Sequence, residues 1–225
     1  MSALVNDRGE KQLKVAIVTP CQDTVAAGYA LDLAKLVGRS QLPNIQLALF
    51  HVRGTIIPEQ RTTLARAARD AGCTHVLWVD SDMRFPANSL IRLLEHDEPI
   101  VACNYPTRRP PYLPTAEHKD LGMLFTEENS TGLVEVGHAG MGLMLVDMDV
   151  HQKIAEPWFA LGYSPSDGGY VGEDFFFCKK AKEAGYRVLI DQDLSKEVKH
   201  IGETEFRNEH ANVTREMYNK KQEVA

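Results

Sequence analysis

The chain has 225 residues and a formal net charge of −6 at pH 7, which is length enough for one domain with a real core. The acidic balance gives no global attraction to nucleic acid or anionic membrane, and no apolar run reaches the length of a bilayer-spanning helix. Cys21, Cys73, Cys103 and Cys178 are scattered without a C-x-x-C pair, so neither a zinc site nor a disulfide framework is expected.

The opening residues, MSALVNDRGEKQLK, lack the apolar stretch of a signal peptide, so residues 1–13 are expected to be a flexible N-terminus on a cytoplasmic protein. KVAIVTP follows as a first strand, β-branched and stopped by Pro20. AAGYALDLAKLVG has helical spacing, with Leu31, Leu33, Ala34, Leu36 and Val37 on one side and Gly38 as its C-cap. IQLALFHV is a second strand. PEQRTTLARAARDAG is a helix opened by Pro58 and closed by Gly72. HVLWVD, PANSLIRLLEHD and PIVACNYP continue the alternation as strand, helix and strand.

This alternation, with strands apolar throughout, predicts a doubly wound, mainly parallel α/β sheet. The second half reads differently. PTRRPPYLPTAEHK is proline-rich and predicted to be an exposed loop, with Arg108-Arg109 the candidate for a local basic patch. Residues 121–150 suggest strands of antiparallel character, making a smaller mixed subregion. EDFFFCKKAKEAG is a helix ended by Gly185, YRVLID is a strand, and 203–225 form a polar tail suited to a surface helix. One domain over 14–202 is expected, with halves at 14–105 and 106–202.

In such sheets ligands bind beyond the carboxyl ends of the strands. The third strand delivers Asp80, Ser81 and Asp82 to that place. Residues two apart in extended chain face the same side, so Asp80 and Asp82 can address one ligand. Two carboxylates together repel unless a cation or donors stand between them, and hard divalent cations prefer oxygen ligands. A D-x-D alone also suits a turn or a helix cap. Glu173 and Asp174 open a helix, where acids also simply complement the helix dipole. His200 follows a strand, where a loop histidine also serves as a hydrogen-bonding group.

The joint order is more specific. THVLWVDSDMRFP, IVACNYPTRRPP, GHAGMGLMLVD, WF, GEDFFFCKKAKEAGYRV and KHIG together resemble the glycosyltransferases of the GT-A fold, family-2-like group, in their short bacterial and phage versions. The resemblance covers most of Lys14 to Gly202. It implies a metal-dependent transferase moving a sugar from a nucleotide-sugar, a UDP-sugar favoured, to an acceptor hydroxyl. Asp80, Asp82 and His200 would hold the divalent metal, with Asp82 the direct carboxylate ligand and Mn²⁺ favoured over Mg²⁺. Asp80 would touch the ribose or a metal-bound water, beside Ser81. Asp174 would be the base of an inverting reaction, supported by Glu173. Thr19 and Pro20 would border the nucleoside, Arg61 the base or diphosphate, and Gly140 and Gly142 the donor sugar.

Departures from the pattern are also legible. No base-reading acid follows the second strand, where FHVRGT stands; Asp23 is the substitute to consider. Trp158 and Phe159 are either sugar-stacking or core residues. A nucleotidyltransferase would need a glycine-rich basic loop after the first strand, and TPCQDTVAAG is not one. A non-catalytic nucleotide-sugar binder is the remaining alternative. The acceptor is left open among a glycan, a lipid-linked sugar, a protein and a modified nucleobase.

Overall fold

A computed structural model describes residues 12–108, 110–118, 120–164, 168–202 and 205–215. The expected N-terminal flexibility, Arg109 and the end of the tail lie wholly or mainly outside these residues. The first half runs β1 (Leu13–Cys21), α1 (Ala27–Arg39), β2 (Ile45–Arg53), α2 (Ile57–Asp70), β3 (His75–Val79), β4 (Met83–Arg84), α3 (Ser89–Glu95) and β5 (Ile100–Ala102). Short strands follow: β6 (Ala116–His118), β7 (Gly122–Met123), β8 (Leu133–Val136) and β9 (His138–Ala139). Then come β10 (Leu143–Asp147), α4 (Met148–Lys153), β11 (Gly162–Ser164), β12 (Gly169–Val171) and α5 (Glu173–Glu183). The chain closes with β13 (Val188–Asp191), α6 (Gln192–Ser195), β14 (Lys199–Ile201), β15 (Glu205–Phe206) and α7 (Asn208–Val213).

The central sheet has the order β2-β1-β3-β10-β5-β13-β8. β1 pairs in parallel with β2 and β3, and β5 with β13. β10 is inserted antiparallel between β3 and β5, and β8 is antiparallel to β13. The architecture is therefore mixed α/β with a large, mainly parallel sheet, and small antiparallel sheets stand beside it. The expected parallel order holds for β1 to β3; the reversed β10 in the middle is new.

Strand periodicity builds the two cores. Along β1, Val15 and Ile17 face one side and Ala16 and Val18 the other. β3 divides in the same way, Leu77 and Val79 against Val76 and Trp78. The first set packs with Tyr29 and Leu36 of α1 and Leu90 and Leu93 of α3. The second packs with Leu64, Ala65 and Ala68 of α2 and Phe177, Cys178 and Ala181 of α5. Helices on both faces are what strands apolar throughout require. All four cysteines are buried and free.

Three sequence expectations need correction. Pro20 does not stop β1, which pairs with β2 as far as Cys21. Pairing with β3 reaches only Val18, so Pro20 sits where that flank is already an edge, and its missing N–H is tolerated. Gly38 lies inside α1, and Ser40 is the C-cap, its N–H bonded to the Leu36 carbonyl. Leu31 is exposed on α1 while Asp32 is buried, because Arg84 reaches it with a 2.5 Å hydrogen bond from Nε.

Trp158 and Phe159 belong to the core, with Trp78, Phe177 and His151. The His151 ring is fully enclosed, and neither nitrogen has a hydrogen-bond partner among the described residues. Burial pulls its pKa down to about 3. The unfolded chain binds that proton below about pH 6.5 while the folded chain refuses it. Stability from the neutral ring is thus full above 6.5 and is lost as pH falls toward 3. Replacing His151 by Phe is expected to flatten the acid limb, so that urea unfolding at pH 5 and pH 7.5 differs by about 2 kcal/mol less than in the parent.

Candidate functional site

A cleft of about 600 Å³ opens beyond the carboxyl ends of β1 and β3. Pro20 and Cys21 at the end of β1 form one wall, and the Asp80-Ser81-Asp82 turn forms the floor. Arg61 enters from α2, Glu173 from the start of α5, Arg108 from the proline-rich segment and His200 from β14. Distant parts of the chain therefore converge on one place.

Arg61 is the hub. It is 3% exposed. Its Nε donates to Glu173 Oε1 at 2.9 Å, and its Nη2 donates to Asp80 Oδ1 and Oδ2 at 3.0 and 3.3 Å. The guanidinium lies over the Trp78 ring, 5.5 Å from its centroid. Nη1 is buried and makes no hydrogen bond among the described residues. Burial disfavours its charge, but Asp80 and Glu173 more than offset this and hold its pKa above the usual arginine value. For Asp80 burial prevails over the attraction of Arg61, and its pKa is raised.

Asp82 and His200 form the second group. The short sheet β15-β14-β4 aligns His200 with Met83, and the Ile201 N–H donates to the Asp82 carbonyl at 2.7 Å. His200 Nε2 then stands 3.5 Å from Asp82 Oδ2, and Arg108 Nη1 2.7 Å from the same oxygen. Burial alone would raise the Asp82 pKa; the hydrogen bond and charge of His200, with Arg108, lower it instead. His200 Nδ1 sits 2.9 Å from the Pro106 carbonyl, which can only accept. Nδ1 is thereby fixed as a donor, and Nε2 is the nitrogen that faces Asp82.

The expected site residues divide accordingly. Pro20, Arg61, Asp80, Ser81, Asp82, Glu173 and His200 line the cleft together. Thr19 does not: its hydroxyl is buried and hydrogen-bonded to Tyr29. Asp174 is half-buried and, unlike Glu173, is not among the residues that line the cleft; its Oδ1 accepts the Phe175 N–H at 2.8 Å. Burial, then the neighbouring Glu173, raises its pKa. Gly140 and Gly142 lie against Tyr105, away from the cleft lining: a β-carbon on Gly142 would stand 2.6 Å from Tyr105 Cζ. Asp23 pairs with Arg53 instead of lining the cleft. Among the described residues, no group of three or more His, Cys, Asp and Glu side chains is arranged to hold one metal ion.

Tyr105 was not singled out from the sequence, where it is one aromatic in an apolar run. Its hydroxyl accepts the Gly142 N–H at 2.8 Å, and its ring meets His200 edge-on at 5.3 Å. Arg108 was legible only as half of a basic pair. The apolar side of the cleft, Val25, Ala26 and Ile57, gave no signal, because isolated apolar residues outside the strands carry none.

No protein-family model matches the chain, and no curated protein matches it in sequence. Among solved structures it is similar to A197 from STIV, at 16% identity over 84% of this chain and 86% of that one, with a TM-score of 0.56. That is a likeness of fold. It also overlaps a glycosyltransferase involved in the glycosylation of the major capsid of PBCV-1, at 14% identity over 64% and 68% of the two chains. The TM-score there is 0.31, too loose an overlap to build on.

Chemically, the cleft offers a carboxylate–imidazole pair, a buried guanidinium and a half-exposed one. Removing the Arg61 charge would strand two carboxylates. Arg61→Met is expected to cost about 3 kcal/mol, at the low end for a broken buried pair because Asp80 keeps some solvent access, seen as a lower urea midpoint. Gly142→Ala should cost about 1–3 kcal/mol by overpacking against Tyr105, with an unchanged m-value. Asp174 works in the opposite sense. With its folded pKa raised, ionisation costs stability once pH exceeds the ordinary carboxylate value, fully so above the folded pKa. Asp174→Asn should therefore raise the melting temperature at pH 7.5, and the gain should shrink toward pH 4.

Proposed function

We propose that the chain is a glycosyltransferase of the GT-A type that takes a nucleotide-sugar, UDP-linked, and transfers the sugar to an acceptor hydroxyl. The observation that carries this reading is the meeting of Asp82 and His200 in a cleft beyond the sheet's carboxyl ends. The donor chemistry fits a divalent cation, Mn²⁺ before Mg²⁺. A carboxylate oxygen faces an imidazole nitrogen whose other nitrogen is held by a carbonyl, the support that metal-binding histidines use. Asp82 and His200 would hold the ion, with the half-exposed Arg108 side chain moving off Asp82.

Bound there, a divalent cation would supply the Lewis acid for the charge on a departing diphosphate. The chain's own groups do the rest. Arg61 is fixed by Asp80 and Glu173 before any ligand arrives, so it orients the nucleotide without a reorganisation cost. Asp80 and Ser81 border the ribose, and Pro20, Val25 and Ile57 exclude water beside the base. Asp174 accepts the proton of the acceptor hydroxyl. Its raised pKa suits that role, because a general base works best when its pKa approaches the working pH.

Calorimetry with UDP tests the reading without turnover. Affinity should rise about tenfold or more when Mn²⁺ is added, and Asp82→Ala or His200→Ala should remove that rise. Asp174→Asn should bind UDP and Mn²⁺ normally yet lose transfer. Equal affinity with and without the metal would overturn the assignment.

A further inference from the structure

Among the described residues, two arginines line the cleft, and they are held in opposite ways. Arg61 is enclosed, with 4% of its side chain exposed, and is committed to Asp80 and Glu173. Arg108 has 51% of its side chain exposed, and its Nη1 stands 2.7 Å from Oδ2 of Asp82. That oxygen is the one that His200 Nε2 faces at 3.5 Å. A permanent positive charge therefore sits on the carboxylate assigned above to a divalent cation. An ion pair with this much solvent access contributes little, so it is readily exchanged for a better one.

The backbone just before it is pinned. His200 Nδ1 donates to the Pro106 carbonyl at 2.9 Å, the Thr107 N–H donates to the Leu113 carbonyl at 2.8 Å, and the Leu113 N–H returns to Thr107 Oγ1 at 3.1 Å. One segment thus holds the imidazole and carries the arginine, and an exchange confined to the Arg108 side chain leaves these bonds intact. A guanidinium and a divalent cation repel, and both are drawn to the same carboxylate oxygen. A cation arriving alone must displace the arginine, which then has lost its partner. A diphosphate changes the balance, because its oxygens give the guanidinium a second anionic partner in the same cleft.

We propose that Arg108 is a diphosphate-binding residue that occupies the cation site until the nucleotide arrives, so that neither cation nor nucleotide binds well without the other. This rests on the transferase reading given above and adds to it the order in which the cleft is loaded. By linkage each ligand raises the affinity of the other by the same factor, and the transfer of Arg108 from Asp82 to the diphosphate supplies part of that factor.

Two titrations of the whole chain test this: Mn²⁺ alone, followed by electron paramagnetic resonance of the free ion, and UDP with and without Mn²⁺, followed by calorimetry. Arg108→Gln should tighten Mn²⁺ alone by about threefold or more, because the competitor is gone. It should weaken UDP in the presence of Mn²⁺ by about tenfold or more, because a charged donor to the diphosphate is gone. The factor by which Mn²⁺ raises UDP affinity should shrink. A merely structural role would not move the two affinities in opposite directions. Arg53, paired with Asp23, lies opposite Cys21 at the edge of the cleft without lining it, so Arg53→Gln removes a nearby charge and leaves Asp82 untouched. That variant should shift either affinity by about twofold or less. If it reproduces the effect of Arg108→Gln, net charge is the cause and the proposal falls. Mn²⁺ affinity that is unchanged or lower in Arg108→Gln overturns the proposal, as does unchanged UDP affinity with Mn²⁺ present. Either result, in a parent that shows the Mn²⁺ effect on UDP, sinks this proposal alone. A parent in which Mn²⁺ leaves UDP binding unchanged sinks the transferase reading as well.

Discussion

A guanidinium stays charged even when protein encloses it, so its burial is costly unless carboxylates enclose it too, and Arg61 sets this condition for the whole cleft. It is tied to Asp80 at the end of β3 and to Glu173 at the start of α5, with the Trp78 face beneath it. The helix α2, the strand β3 and the helix α5 are thereby locked at one point. Asp80 is committed to this network, which leaves Asp82 as the carboxylate that faces a ligand with His200. The two aspartates of one short motif thus do different work: one fixes architecture, the other presents chemistry.

Tyr105 supports the second arm. Its hydroxyl holds the Gly142 backbone, whose carbonyl in turn accepts the Asp80 N–H at 3.0 Å, and its ring backs His200. The glycines at 140 and 142 owe their identity to this ring, since a β-carbon at either would collide with it. One aromatic residue therefore carries the reversed strand β10 and the imidazole together.

Much of this was legible beforehand, and for physical reasons. Strand–helix alternation and continuous apolar runs located β1, β2, β3, α2 and α5, because buried strands and amphipathic helices leave strong local signals. The acidic turn after β3 was visible because charge directly after a core strand is unusual. What escaped was non-local. The reversed β10 has the same apolar composition as a parallel strand. The Asp32–Arg84 contact, which buries an acid on the apolar side of α1, joins residues from separate elements. Gly38 has the composition of a helix stop, yet the helix continues one residue past it to Arg39. The glycines of HAGMGLMLV looked like ligand approach and proved to be room for Tyr105.

The small ladder joining β4 to β14 has a bearing on how the molecule comes to exist. Ribosomal synthesis delivers the acidic turn early, and the strands β1 to β3 can already pair then. The imidazole that completes it emerges long afterwards, so the closing contact has a very large loop to overcome. A nascent or truncated chain ending before Lys199 would hold a sheet with an unfinished mouth. Competence in this fold waits on a segment far along the chain from the turn it serves.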